Sequence, residues 1–108
     1  MADKSAAPRN PFTDIAPALA DYTERVLFGD VWERPGLSPR DRSLITVAAL
    51  VALYRTNELP VHLKKAPQNG TTRDELIELI THLAFYSGWP TANTAVAIAR
   101  RVFDVNPV

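Results

Sequence analysis

The sequence predicts an all-α protein of five or six helices, and three observations carry that expectation. Apolar residues recur at helical spacing and nowhere alternate cleanly over the length of a strand. Prolines at 8, 11, 17, 35, 39, 60, 67, 90 and 107 leave uninterrupted runs at 18–34, 40–59, 68–89 and 91–106, each long enough for a helix. Helix-start signatures also stand at the heads of two of these runs, at Ser38 and Thr72.

Taken in order, Ile15, Leu19, Tyr22 and Val26 form one stripe, and Gly29 is a natural stop. Ser38-Pro39-Arg40-Asp41 reads as a cap, a proline at the first helical position and an acid in the first turn. The helix it opens is expected to run to about Arg55. A short helix is expected over Asn57–Gln68, with Asn57 as cap and Pro60 in the first turn, although a proline disfavours an α conformation at Leu59 before it. Thr72-Arg73-Asp74-Glu75 spells a capping box, opening a helix that carries Leu76, Ile77, Ile80, Leu83 and Ala84 and ends near Ser87-Gly88. Pro90 opens the last helix, with Ala92, Ala95 and Ala99 on one face and Val102 and Phe103 beside them. Residues 1–12 are expected to be a flexible tail and residues 13–108 a single domain.

One helix is too apolar. From Leu44 to Tyr54 the sequence is LITVAALVALY, in which Thr46 is the only clearly polar side chain. A helix apolar on all faces must be covered on all faces. A domain of 108 residues has much surface for its volume, so another subunit is expected to supply part of that cover. The alternative is a central helix wrapped by its own neighbours.

Composition excludes several classes. Hydrophobic residues make up 46% and charged residues 22%, so the chain can bury enough to offset its ordering entropy. Twelve Lys and Arg balance twelve Asp and Glu, which points to neither nucleic acid nor a membrane surface as partner. With no cysteine, disulfides, thiolate zinc sites, Cys nucleophiles and Cys-x-x-Cys redox couples are all excluded. Met1 to Asn10 has no apolar signal core, and Leu44–Tyr54 is about half of a ~20-residue membrane span. A cytoplasmic location is therefore expected.

Two histidines are the main candidates for chemistry. His62 follows Glu58 by four residues, so on a helix carboxylate and imidazole share a face. Such a carboxylate would fix the tautomer and raise the imidazole pKa, suiting a general acid near neutral pH. The alternative is a surface pair of little consequence. His82 lies in a line with Glu78 and Tyr86 at the edge of an apolar stripe, either lining a pocket or simply satisfied at the rim of the core. Two histidines with scattered acids make a poor metal set, and none is expected. Arg34, Arg40 and Arg42 form a cationic patch beside Trp32, and guanidinium forks suit carboxylate substrates.

Five segments in order carry a family resemblance. They are Phe28-Gly29-Asp30-Val31-Trp32-Glu33-Arg34-Pro35-Gly36-Leu37, Arg40-Asp41-Arg42-Ser43-Leu44-Ile45-Thr46, and Asn57-Glu58-Leu59-Pro60-Val61-His62, then Gln68-Asn69-Gly70-Thr71-Thr72-Arg73-Asp74-Glu75 and His82-Leu83-Ala84-Phe85-Tyr86-Ser87-Gly88-Trp89-Pro90-Thr91-Ala92-Asn93. With spacing kept from about Tyr22 to Phe103, the chain resembles the carboxymuconolactone decarboxylase family. The resemblance implies an alkylhydroperoxidase-like helical fold assembled into rings, commonly homohexamers. The peroxidase branch would place cysteines at Arg55 and Glu58 ahead of His62, so that chemistry is excluded here. The decarboxylase branch has Glu and His at Glu58 and His62. Pro60 and Pro67 depart from the family pattern within the segment that carries His62.

The resemblance implies cofactor-free decarboxylation of a carboxylated γ-lactone, 4-carboxymuconolactone, to an enol-lactone in aromatic catabolism. In that reaction Arg42 or Arg34 would hold carboxylate beside Trp32, and His62 paired with Glu58 would donate a proton. His82 or Tyr86 would hydrogen-bond the oxyanion. The competing expectations are another lactone, enol or carbonyl substrate, and a non-catalytic ring-forming protein of the same fold.

Overall fold

The computed structural model describes residues 10–106, and these contain helices and turns but no strand. The tail expected over residues 1–12 therefore lies largely outside the described residues. Contacts gather into two compact units, 10–36 and 37–106.

In the first unit, Pro17 opens a short helix, α1 (Pro17–Asp21), which continues as π-helical turns over Tyr22–Phe28. Thr23 Oγ1 donates to the Leu19 carbonyl at 2.9 Å, a back-bond that competes with the ordinary helical ladder. The expected stripe does not survive this change of pitch. Ile15 sits in the turn before the helix and is 80% exposed, and Leu19 is 61% exposed. Gly29 caps the helical turns at a position only glycine fits, since a Cβ there would stand 2.6 Å from the Arg25 carbonyl oxygen. A single 3₁₀ turn, Val31–Glu33, follows.

The second unit holds four helices. Helix α2 (Pro39–Ala52) starts as expected, with the Asp41 N–H donating to Ser38 Oγ at 3.1 Å. It ends three residues before Arg55. Tyr54 takes φ 60°, and the closing bonds Arg55 N to Leu50 O and Tyr54 N to Val51 O form a Schellman stop, an arrangement that usually calls for glycine.

Helix α3 (Leu59–Gln68) starts later than expected, with Glu58 rather than Asn57 in the cap position. Pro60 sits in its first turn, where a missing N–H leaves no bond unmade. Leu59 remains helical because its N–H donates to Arg55 O at 3.0 Å and its side chain is buried. Pro67 falls one residue from the end, so neither proline breaks the segment that carries His62.

Helix α4 (Arg73–Ser87) has the expected capping box in both directions: Glu75 N–H donates to Thr72 Oγ1, and Thr72 N–H to Glu75 Oε1. Helix α5 (Trp89–Val105) begins one residue before Pro90. Its Ala92, Ala95 and Ala99 are buried within the chain, so this small-residue face is spent on α5's own neighbours.

Helix α2 packs on α3, α4 and α5, while α5 also packs on α3 and α4. Val47, Val51, Leu59, Leu63, Leu76, Ile80 and Phe103 fill the centre. These neighbours cover one side of α2 only. Ile45 is 55% exposed, Leu53 just past the helix is 67% exposed, and Ala49 and Ala52 face out beside them.

The left-handed Tyr54 stores backbone strain of about 1 kcal/mol. Tyr54→Gly should therefore raise the thermal midpoint, and Tyr54→Val, β-branched in the same conformation, should lower it; melts followed by circular dichroism test both.

Candidate functional site

Helix α3 presents three strips. Leu59, Leu63 and Ala66 are buried in the core, and Val61, Lys64 and Gln68 are exposed. Between them, helical spacing puts His62, Lys65 and Asn69 on one half-buried flank, with Glu58 one turn before His62 on the same line. Asn69 Nδ2 donates to Ser43 Oγ at 2.9 Å, and Ser43 is buried, so this bond fastens the end of α3 to the start of α2. On α2, Leu44 and Ala48 face α4, and half-buried Arg42 and Thr46 lie on the opposite flank of the helix. The Ser43–Asn69 bond puts polar groups at the α2–α3 seam beside an apolar core.

The His62 pKa is lowered from its ordinary value, first by burial and then by the charge of Lys65. This reverses the rise expected from a carboxylate partner. Glu58 is exposed in the cap position, where water screens it, while Lys65 shares the half-buried flank. Burial and Lys65 thus both favour the neutral form of the imidazole.

His82 lies elsewhere. It lines a groove of about 390 Å³ between α2 and α4, with Arg40, Glu75 and Glu78 at the rim and Leu44, Ala48, Leu79 and Leu83 below. Tyr86 stacks on the His82 ring at 5.0 Å between centroids, as the four-residue spacing suggested, but is 78% exposed. His62 is not part of this groove, and α3 and α4 sit on different sides of α2 and α5. The two histidines do not share a pocket within the second unit.

The three arginines separate in role. Arg40 bonds the Glu75 carboxylate, tying α2 to α4, and packs against Gly70. The Thr72 backbone N–H and, more weakly, Arg40 hold the Glu75 carboxyl below its ordinary pKa against the opposing effect of desolvation. Arg42 is half-buried on the flank of α2 opposite Leu44 and Ala48. Arg34 and Trp32 belong to the first unit, where Trp32 lies 6.3 Å from the Phe28 ring and Arg34 follows the 3₁₀ turn, exposed. Among the described residues, no three His, Asp or Glu side chains gather as a metal set, and no helix is long and apolar enough to cross a membrane.

Sequence reasoning missed Lys65 and the Ser43–Asn69 bond. A signal for the first existed in the three-residue spacing from His62. The second joins residues 26 apart and has no local signature.

A family model for the carboxymuconolactone decarboxylase family matches residues 17–101. The chain belongs to the carboxymuconolactone decarboxylase family. Within that family it is 47% identical over 90 residues to a protein named 4-carboxymuconolactone decarboxylase from Acinetobacter baylyi, covering 83% of this chain and 67% of that one. It is 34% identical over 77 residues to nitrosuccinic acid decarboxylase from Metarhizium robertsii, covering 71% of this chain and 54% of the relative. An uncharacterised 15.0 kDa protein of Paracoccus denitrificans is 30% identical over 91 residues, or 82% and 68% of the two chains. The carboxymuconolactone decarboxylase family match takes in α1 to α4 and most of α5, including both prolines of the His62 helix.

The depressed His62 pKa fixes a pH dependence. The unfolded chain takes up a proton near 6.5 before the folded chain does, so stability holds above that pH and falls as pH drops below it. His62→Gln should flatten this limb in urea titrations between pH 7.5 and 5.5; an unchanged slope would place its origin elsewhere.

Proposed function

We propose that the protein is a carboxy-lyase that removes CO₂ from 4-carboxymuconolactone to give an enol-lactone, with His62 delivering the proton. The observation that carries this reading is the half-buried His62 on a cationic flank, in a chain 47% identical to a named 4-carboxymuconolactone decarboxylase. Because that match takes in 67% of the relative, the activity of the whole relative is part of the proposal.

The chemistry sets three demands. Loss of carboxylate leaves a dienolate conjugated with the lactone carbonyl, so the substrate serves as its own electron sink and calls on no cofactor. The protein must fix an anionic substrate, stabilise the developing oxyanion and protonate carbon. Arg42 holds carboxylate, with Arg34 and Trp32 assigned to binding as well. Glu58 keeps the imidazole oriented. A neutral imidazole acts as acid once the arriving substrate's negative charge raises its pKa.

His82 and Tyr86 line or flank a different groove, so their role in stabilising the oxyanion requires a second subunit that brings its α2–α4 face to the His62 seam. We infer a homo-oligomer, with a hexamer as the expected ring. Support comes from the open side of α2, where Ile45, Ala49, Ala52 and Leu53 are exposed among the described residues. The two compact units act as one functional domain, since the family match runs through both. A cytoplasmic location completes the reading.

The nitrosuccinic acid decarboxylase relative supports a second reading, in which another carboxylated substrate loses CO₂ to leave a delocalised anion. Purified protein assayed with 4-carboxymuconolactone and with nitrosuccinate, each in the presence of chelator, separates the two. On the true substrate His62→Ala should lower turnover by ~10²–10⁴-fold. His62→Gln should retain binding, and His82→Ala should cost less. Turnover that survives His62→Ala would remove this residue from the chemistry.

Sedimentation tests the assembly. The wild type should sediment as an oligomer at micromolar concentration and Ile45→Lys as smaller species. A wild-type chain that stays monomeric would sink both the ring and the shared role of His82.

A further inference from the structure

We propose that the groove between α2 and α4 is a binding site for an organic ammonium ion with an aromatic body. The inference does not rest on His62 or on the reaction assigned to it, and it asks of His82 a ring face and no proton.

Shape supports it first. The groove has a volume of about 390 Å³, within the range of small-molecule sites. Leu44 and Ala48 from α2 and Leu79 and Leu83 from α4 form its floor. All four are half-buried, and the three leucines pack on the core beneath. The floor is therefore held by the core and needs no ligand to keep its shape. At the rim, His82 carries Tyr86 stacked at 5.0 Å with the ring planes 30° apart, a flat aromatic wall against which another ring can lie.

Charge decides the sign of the ligand. Among the described residues Arg40 is the only Lys or Arg lining the groove, and its guanidinium is spent on the Glu75 and Asp41 carboxylates. Glu75 also receives the Thr72 backbone N–H on its other oxygen, so both of its oxygens are committed. Glu78 differs. It is exposed, and among the described residues it has no hydrogen-bond or ion-pair partner. No Lys or Arg follows Arg73 within α4 to supply one. A carboxylate ligand would meet Glu78 with no free guanidinium to balance it, whereas an ammonium pairs with it.

Spacing sets the length. Glu78 and His82 stand four residues apart on α4, which puts their Cβ atoms about 5–6 Å from each other. A ring on His82 and an ammonium at Glu78 are thus joined by a short linker of about two carbons, lying over Leu79 and Leu83.

The experiment titrates the full wild-type chain with phenethylammonium, phenethyl alcohol and hydrocinnamate, which share the ring and differ in charge. NMR shifts of the Leu44, Leu79 and Leu83 methyls and of the His82 ring locate the binding. Affinity should fall in the order ammonium, alcohol, carboxylate. Glu78→Gln should weaken the ammonium about fivefold and leave the alcohol unchanged. Glu78→Lys should reverse the order, while Glu24→Gln, at an exposed acid of the first unit, should match wild type. Three results would overturn the proposal: wild type that binds none of the three, an order that Glu78→Lys leaves unchanged, or binding that appears only in Ile45→Lys and so gives the groove to a second copy.

Discussion

Helix α2 is the constraint on which the second unit depends. Like α5 it packs on all three other helices of the unit, and its Val47 and Val51 are buried among their contacts. One flank, with Leu44 and Ala48, forms a wall of the groove toward α4, and the opposite flank carries half-buried Arg42 and Thr46. The remaining side is apolar and open. A single element thus positions the core, both candidate sites and an exposed apolar surface. Its apolar excess makes sense only when all three duties are counted together.

The two polar ties around α2 act at its first turns. Ser43 meets Asn69 from the end of α3, and Arg40 meets Glu75 from the start of α4. Both bring the Asn69–Thr72 connection against the α2 N-terminus. Glu75 is already committed to the capping box, so one carboxylate both ends the connection and docks it. This arrangement leaves Arg40 occupied. Electrostatics on the α2–α3 side then favour an uncharged imidazole in a cationic setting.

Much of the architecture was legible in the residues. Local signals were strong where a side chain bonds its own backbone: Ser38 and Thr72 cap the helices that their spacing announced. The family pattern around Glu58 and His62 likewise identified the helix that carries the seam. Signals failed where the backbone took an unusual conformation. The π turns of 22–28 spoil a stripe written for an ordinary helix, and left-handed Tyr54 ends α2 early although the apolar run continues.

The sequence by itself determined the fold class, the absence of thiol chemistry, and the covalent spacing of Glu58, His62 and Lys65. These are properties of composition and of a helix's fixed pitch, which act over a few residues. Only the tertiary structure decided that His62 is depressed in pKa, that Arg40 is spent on Glu75, and that His82 belongs to another groove. Each of those depends on which helices cover which flank, and hence on local dielectric and on partners tens of residues away. Burial weakens a charge that sequence spacing alone would have paired, because desolvation is set by the packed neighbours and not by the chain's order.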